Sequence, residues 1–163
     1  MARFEDELLA VLPRVRRFAR ALARDAADAD DLVQGAVEKA LRARTQWEPG
    51  TRMDSWMYRI VRNTWIDLGR ARARAAQTFV PAEAGAHVGD GGDRAIEANV
   101  ELKQVMRALA TLPDEQREAV ALVLVEGLAY KDAAAVLDVP MGTLTSRLGR
   151  GRLALMARLG EAA

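Results

Sequence analysis

The stretch Tyr130–Leu159, YKDAAAVLDVPMGTLTSRLGRGRLALMARL, constrains the fold of this chain more than any other. Gly127 ends one helical pattern before it. A short helix is expected over Tyr130–Leu137, then a tight turn Asp138-Val139-Pro140, then a long helix from about Met141. That last helix carries Arg147, Arg150, Arg152 and Arg158 and, through Leu159, no acidic residue. A short support helix, a three-residue turn and a basic second helix are the parts that place a helix in a DNA major groove. Nucleic acid is therefore the first partner the sequence suggests.

Composition sets the bounds on the rest. The chain has 163 residues, room for one domain or two small ones. Half of them are hydrophobic but only 5% are aromatic, and Ala and Leu outnumber β-branched residues, so an all-α chain is expected. With no cysteine there is no disulfide framework, thiolate metal site or thiol switch. The single histidine, His87, lies among glycines with no partner for metal or triad chemistry. No apolar run approaches a membrane span, and the N-terminus MARFEDELLAVLP has acids where a signal peptide has positive charge. A soluble, cytoplasmic chain without membrane insertion is expected.

The formal charge of +1 hides an uneven distribution. Residues 1–75 hold 15 Lys+Arg and 11 Asp+Glu, a net of +4; residues 76–99 hold 1 and 4, a net of −3; residues 100–163 hold 8 of each. The middle stretch also carries Pro81, Gly85, Gly89, Gly91 and Gly92. Such a segment buries too little apolar surface to offset the entropy of ordering its backbone. The expected architecture is two small helical domains, residues 1–75 and 98–163, joined by a flexible linker over 76–97, with the helix-turn-helix in the second.

In the first half, Pro13 is expected in the first turn of a helix running to about Ala23, with Val15, Phe18, Ala19 and Leu22 as its apolar stripe. A second helix follows from an Asp28 N-cap. Leu32, Val33, Ala36, Val37, Ala40 and Leu41 form a wide buried face on it, opposite Asp30, Asp31, Gln34, Glu38 and Arg42. Thr45–Met53 is a loop signalled by Pro49-Gly50, and Asp54 or Ser55 caps a long third helix. That helix buries Met53, Trp56, Met57, Ile60, Val61, Thr64 and Leu68 and presents Arg59, Arg62, Asn63, Ile66, Arg70 and Arg74 opposite, with Tyr58 and Trp65 on a flank. Arginines grip phosphates, asparagine reads base edges and aromatic faces stack on unpaired bases, so this face suits single-stranded or partly melted DNA.

Taken together, DADDLVQ (Asp28–Gln34), SWMYRIVRNTWID (Ser55–Asp67), LPDEQREAVALVLVEGLAY (Leu112–Tyr130) and VPMGTLTSRLGRGR (Val139–Arg152) resemble the group IV, or extracytoplasmic-function, sigma factors of bacterial RNA polymerase. Each motif alone is weak; the four, in order across both halves, are strong. The resemblance implies that Asp31, Gln34 and Glu38 dock on the clamp helices of the polymerase β′ subunit. It implies that the loop holding Trp47, Glu48, Gly50 and Arg52 receives a base flipped from the minus-ten element. Arg59, Arg62, Asn63, Ile66 and Arg70 would bind that strand. Thr143, Ser146, Arg147 and Arg150 would bind the minus-thirty-five element in a domain that also touches the β flap. An anti-sigma factor is the implied regulator. Gly35 stands where the family usually has a glutamate, and Thr145 and Gly149 replace residues that are often basic.

Other functions explain less. A decoy that only sequesters an anti-sigma factor would not need the basic faces. A stand-alone helix-turn-helix regulator leaves DADDLVQ and SWMYRIVRN without a role. An enzyme is not indicated: Asp30 and Asp31 are sequence neighbours that do not face each other on a helix, and no nucleophile–base pair, cofactor motif or metal cluster stands out. Each half is too small and too nearly neutral to hold DNA tightly alone, so tethering both to one polymerase supplies the avidity, and the free chain is expected to bind promoters poorly.

Overall fold

A computed structural model describes residues 2–78 and 100–162, and every regular element among them is helical. The first half is a three-helix unit: α1 (Ala2–Ala23), α2 (Ala26–Arg42) and α3 (Met53–Thr78), with a single 3-10 turn at Arg44–Gln46. Its core is built from Val15, Phe18 and Leu22 of α1, Leu32, Ala36 and Ala40 of α2, and Met57 and Val61 of α3, each at most 1% exposed. These are the positions the 3.6-residue periodicity selects. Val33 and Val37, also expected inside, are only partly covered, and Leu41 is 44% exposed, so the buried face of α2 is narrower than its apolar face.

Three helix starts differ from expectation. Helix α3 begins at Met53, so Asp54 and Ser55 lie in its first turn and do not cap it. Helix α1 begins at Ala2, so Pro13 lies in its middle. Phe4, Leu8 and Val11 extend the buried stripe backwards at helical spacing, and that burial outweighs the local penalty of proline. Pro13 sits on the solvent side, where water can serve the Leu9 carbonyl that loses its N–H partner. Helix α2 is capped by Asp25, whose side chain accepts from the Asp28 N–H at 2.8 Å, and not by Asp28. Arg24, at φ 71°, turns the chain sharply enough for Asp25 to take that role. Asp28 instead accepts from Arg72 of α3 at 3.1 and 2.7 Å, and Lys39 reaches Asp67 at 3.1 Å, so two ion pairs tie α2 to α3.

The second half contains α4 (Val100–Leu109), α5 (Asp114–Val120), a π-helical turn over Ala121–Val125, α6 (Tyr130–Leu137) and α7 (Met141–Ala162). The helix-turn-helix lies at the expected residues. Gly127 takes φ 77°, which a side chain would oppose, and ends the preceding helix; Asp138 takes φ 55° at the turn, a conformation aspartate tolerates better than most residues. Leu137, Leu144 and Leu148 lock α6 against α7. Gly151 is the crossing point of α7 with α5: a Cβ there would lie 2.7 Å from Val120 Cγ2 and 3.2 Å from the Gln116 carbonyl oxygen.

Helix α3 runs three residues beyond the expected domain limit at 75. The rest of the expected linker, from residue 79 on, lies outside the described residues together with His87. No helix among the described residues is long and apolar enough to cross a membrane. Helices α1 and α3 also contact α5 and α6, so the two halves pack on each other.

Candidate nucleic-acid interface

Three groups of residues expected to act are placed on three surfaces. On the first, Asp31, Gln34 and Glu38 are exposed along α2. Gln34 and Glu38, with Asp30 and Arg16, rim a groove of about 700 Å³ whose floor is Leu12, Val33 and Val37. An apolar floor with a polar rim is the arrangement a helical partner needs: the floor supplies area, the rim supplies register. The partly covered Val33 and Val37 of α2 line this groove. Gly35 does not share this surface. A Cβ there would meet Thr64 Cγ2 of α3 at 3.3 Å, so the small residue admits the close approach of α3.

The second surface joins the loop before α3 to the outer face of α3. Glu48, Gly50 and Arg52 are exposed on the loop, with Gly50 at φ 93° in its tight turn. Trp47 is placed otherwise: it is 6% exposed and packs edge-on against Phe4, ring centroids 5.7 Å apart. It is therefore a core residue supporting the loop and cannot stack on a flipped base. Trp56 also packs on Phe4, at 5.9 Å. Arg52 is held by Asp54, with Nε and Nη2 at 3.1 and 2.8 Å from its carboxylate. Burial acts to raise the Asp54 carboxyl. The hydrogen bonds from Arg52 and the Ser55 N–H, with the charges of Arg52 and Arg14, outweigh it and hold that group below the usual aspartate range.

Along α3, Arg59, Asn63 and Arg70 are exposed and Arg62 and Ile66 are partly covered. The aromatic flank expected beside them is half lost. Tyr58 is fully buried, packed edge-on against Phe18 at 5.3 Å and donating its hydroxyl to Glu126 at 2.8 Å. Burial, reinforced by the Glu126 carboxylate, pushes its phenol well above the usual range. Trp65 stays at the surface edge, lining a groove of about 420 Å³ with Ile66, Arg70, Glu115 and Glu118. The periodicity of α3 alone could not reveal the fate of Tyr58, because Glu126 lies 68 residues further along the chain.

The third surface is the N-terminal half of α7. Ser146 and Arg150 are exposed and joined by a 2.6 Å hydrogen bond from the guanidinium to the hydroxyl. Thr143 and Arg147 are partly covered, and Arg147 lies 3.7 Å from Glu115. With α7 packed on α6 through Leu144 and Leu148, Ser146 and Arg150 face outward, with Thr143 and Arg147 beside them at helical spacing. Thr145 returns its hydroxyl to the Met141 carbonyl at 2.8 Å.

The chain matches two families of domains in order: Sigma-70 region 2 over residues 8–75 and Sigma-70 region 4 over residues 102–155. It is 36% identical to the ECF RNA polymerase sigma factor EcfG of Rhodopseudomonas palustris over 94% of this chain and 83% of that one. It is 36% identical to the ECF RNA polymerase sigma factor SigM of Mycobacterium tuberculosis, over 90% and 72%. Among solved structures it resembles the sigma factor RpoE of Bartonella quintana, crystallised with the anti-sigma factor NepR. That match has a TM-score of 0.80 at 33% identity and covers 98% of both chains. It also resembles CnrH in complex with the cytosolic domain of CnrY, with a TM-score of 0.69 at 26% identity over 98% of this chain and 89% of that one. Both sigma regions stand in order on the two helical units, and relatives share a third of their residues over most of their length, so this protein belongs to the extracytoplasmic-function sigma factors of the sigma-70 family, transcription initiation factors rather than enzymes.

Proposed function

We propose that this chain binds core RNA polymerase in the cytoplasm and directs it to promoters through two separate DNA contacts. The α2 groove, rimmed by Gln34 and Glu38 and extended by Asp31, takes the β′ clamp helices. The loop residues Glu48, Gly50 and Arg52 accept a flipped minus-ten base, and Arg59, Arg62, Asn63, Ile66 and Arg70 hold that strand. Thr143, Ser146, Arg147 and Arg150 enter the major groove of the minus-thirty-five element, and the same domain touches the β flap. An anti-sigma factor controls the chain. The observation that carries this reading is that one short chain presents both an arginine-lined helix beside a tight loop and a helix-turn-helix with an outward arginine face.

Run-off transcription with core polymerase on a library of candidate promoters tests it. Arg62→Ala and Arg147→Ala should each lower promoter-specific transcripts by about tenfold, the order expected for losing one phosphate or base contact. Transcripts unchanged in both variants would remove these residues from the proposed sites.

A further inference from the structure

Four ion pairs that cross between the described parts of the two halves share one polarity: in each the arginine belongs to the first half and the acid to the second. Arg17 Nε and Nη2 meet Glu126 at 2.8 and 2.9 Å, Arg62 meets Glu118 at 3.3 Å, Arg52 meets Asp132 at 3.1 Å, and Arg24 meets Asp114 at 3.7 Å. A fifth polar contact runs from Arg59 Nη2 to the Ala135 carbonyl oxygen at 2.6 Å. Three of these five arginines, Arg52, Arg59 and Arg62, are ones assigned above to the minus-ten strand. Two of them, Arg52 and Arg62, are held by acids of the second half, and Arg59 by one of its carbonyls.

The pairs are unequal. Arg24–Asp114 is open to water, with both side chains more than half exposed, and contributes little. Glu126 is the centre: its side chain is wholly buried and accepts both Arg17 nitrogens and the Tyr58 hydroxyl. A buried carboxylate is tolerated only while such partners stay in place. Its position comes from the π-helical turn. The Glu126 N–H reaches back five residues to the Ala121 carbonyl at 2.8 Å, Gly127 turns away at φ 77°, and Glu126 is directed at the first half instead of at its own domain. None of the α2 groove residues takes part in these pairs, so that groove stays accessible.

We propose that the acidic face of the second half, Glu118, Glu126 and Asp132, is an intramolecular stand-in for promoter DNA that closes over the arginines of α3 and its preceding loop, with Glu126 as the latch. This rests on the assignment of those arginines to DNA. The free chain is then closed and silent by its own structure. A protein partner can still dock on the α2 groove, and DNA gains the arginines only when the second half swings away.

The test uses the full chain and two variants: Glu126→Gln, which keeps shape but removes charge, and Arg17→Ala, which removes the partner from the first half and leaves the second intact. Small-angle scattering reads compaction, and fluorescence anisotropy with a randomised pool of single-stranded oligonucleotides reads DNA binding. Wild type should scatter as one compact body with a radius of gyration of about 15 Å. Both variants should keep their helical circular dichroism, expand, and bind the pool about tenfold more tightly, as when a competent fraction of about one-tenth is fully released. An expanded wild type, variants as compact as wild type, or expanded variants with unchanged DNA affinity would each overturn the latch. Promoter-specific initiation by wild type with core polymerase is measured alongside. Its absence would count against the sigma assignment, whereas its presence with an expanded wild type would count against the latch alone.

Discussion

Gly151 and Gly149 lie two positions apart on α7, yet the same substitution should move stability in opposite directions. Replacing glycine by alanine within a helix gains about 1 kcal/mol from backbone entropy wherever there is room. At Gly149 a Cβ meets nothing within 4 Å, so Gly149→Ala should be stabilising by about that amount. At Gly151 the Cβ would lie 2.7 Å from Val120 Cγ2, 3.1 Å from Gln116 Cβ and 3.2 Å from the Gln116 carbonyl oxygen. Valine on a helix has one strongly preferred rotamer and a backbone carbonyl cannot step aside, so α7 must shift against α5. Overpacking of this kind costs about 1–3 kcal/mol. The propensity gain is common to both variants, and their difference therefore isolates the clash at about 1–3 kcal/mol, or about 2–12 °C in melting temperature for a chain of this size. Thermal and urea denaturation of the full chain, followed by circular dichroism, reads it. A Gly151→Ala protein as stable as Gly149→Ala would show that the α5–α7 crossing does not depend on glycine. That would remove the reason given for where α7 holds Ser146 and Arg150.

Asp54 should support stability at neutral pH and lose that role in acid. Its carboxyl lies below the usual aspartate range in the folded chain, so its contribution is present above the unfolded value of about 4 and lost as pH falls through the lower folded value. Asp54→Asn should lower stability by about 1–3 kcal/mol at pH 7, and the gap should narrow below pH ~4; a gap that widens in acid would reverse the assignment. At the turn before α7, Asp138→Gly should be neutral or stabilising because φ is 55° there, while Asp138→Val should cost about 1–2 kcal/mol, measured by urea titration.

The local parts of this protein are written in local sequence. Apolar spacing selected the buried faces of α1, α2 and α3, and Gly127 with Asp138-Val139-Pro140 placed the helix-turn-helix to the residue, because helices and turns are settled by neighbours a few positions away. The helix starts were less legible. Pro13 and Asp28 are good local signals that lost to burial of Phe4 and Leu8 and to a better cap at Asp25. What only the tertiary structure decided is which charged and aromatic side chains of α3 are free. Trp47 and Tyr58 carry the residue types of a base-stacking site, yet one is held by Phe4 and the other by Phe18 and Glu126. Periodicity reports that a helix has an inner and an outer face. Which outer residues another unit covers depends on contacts between parts of the chain far apart in sequence, and here the acids of the second half meet the arginines of the first.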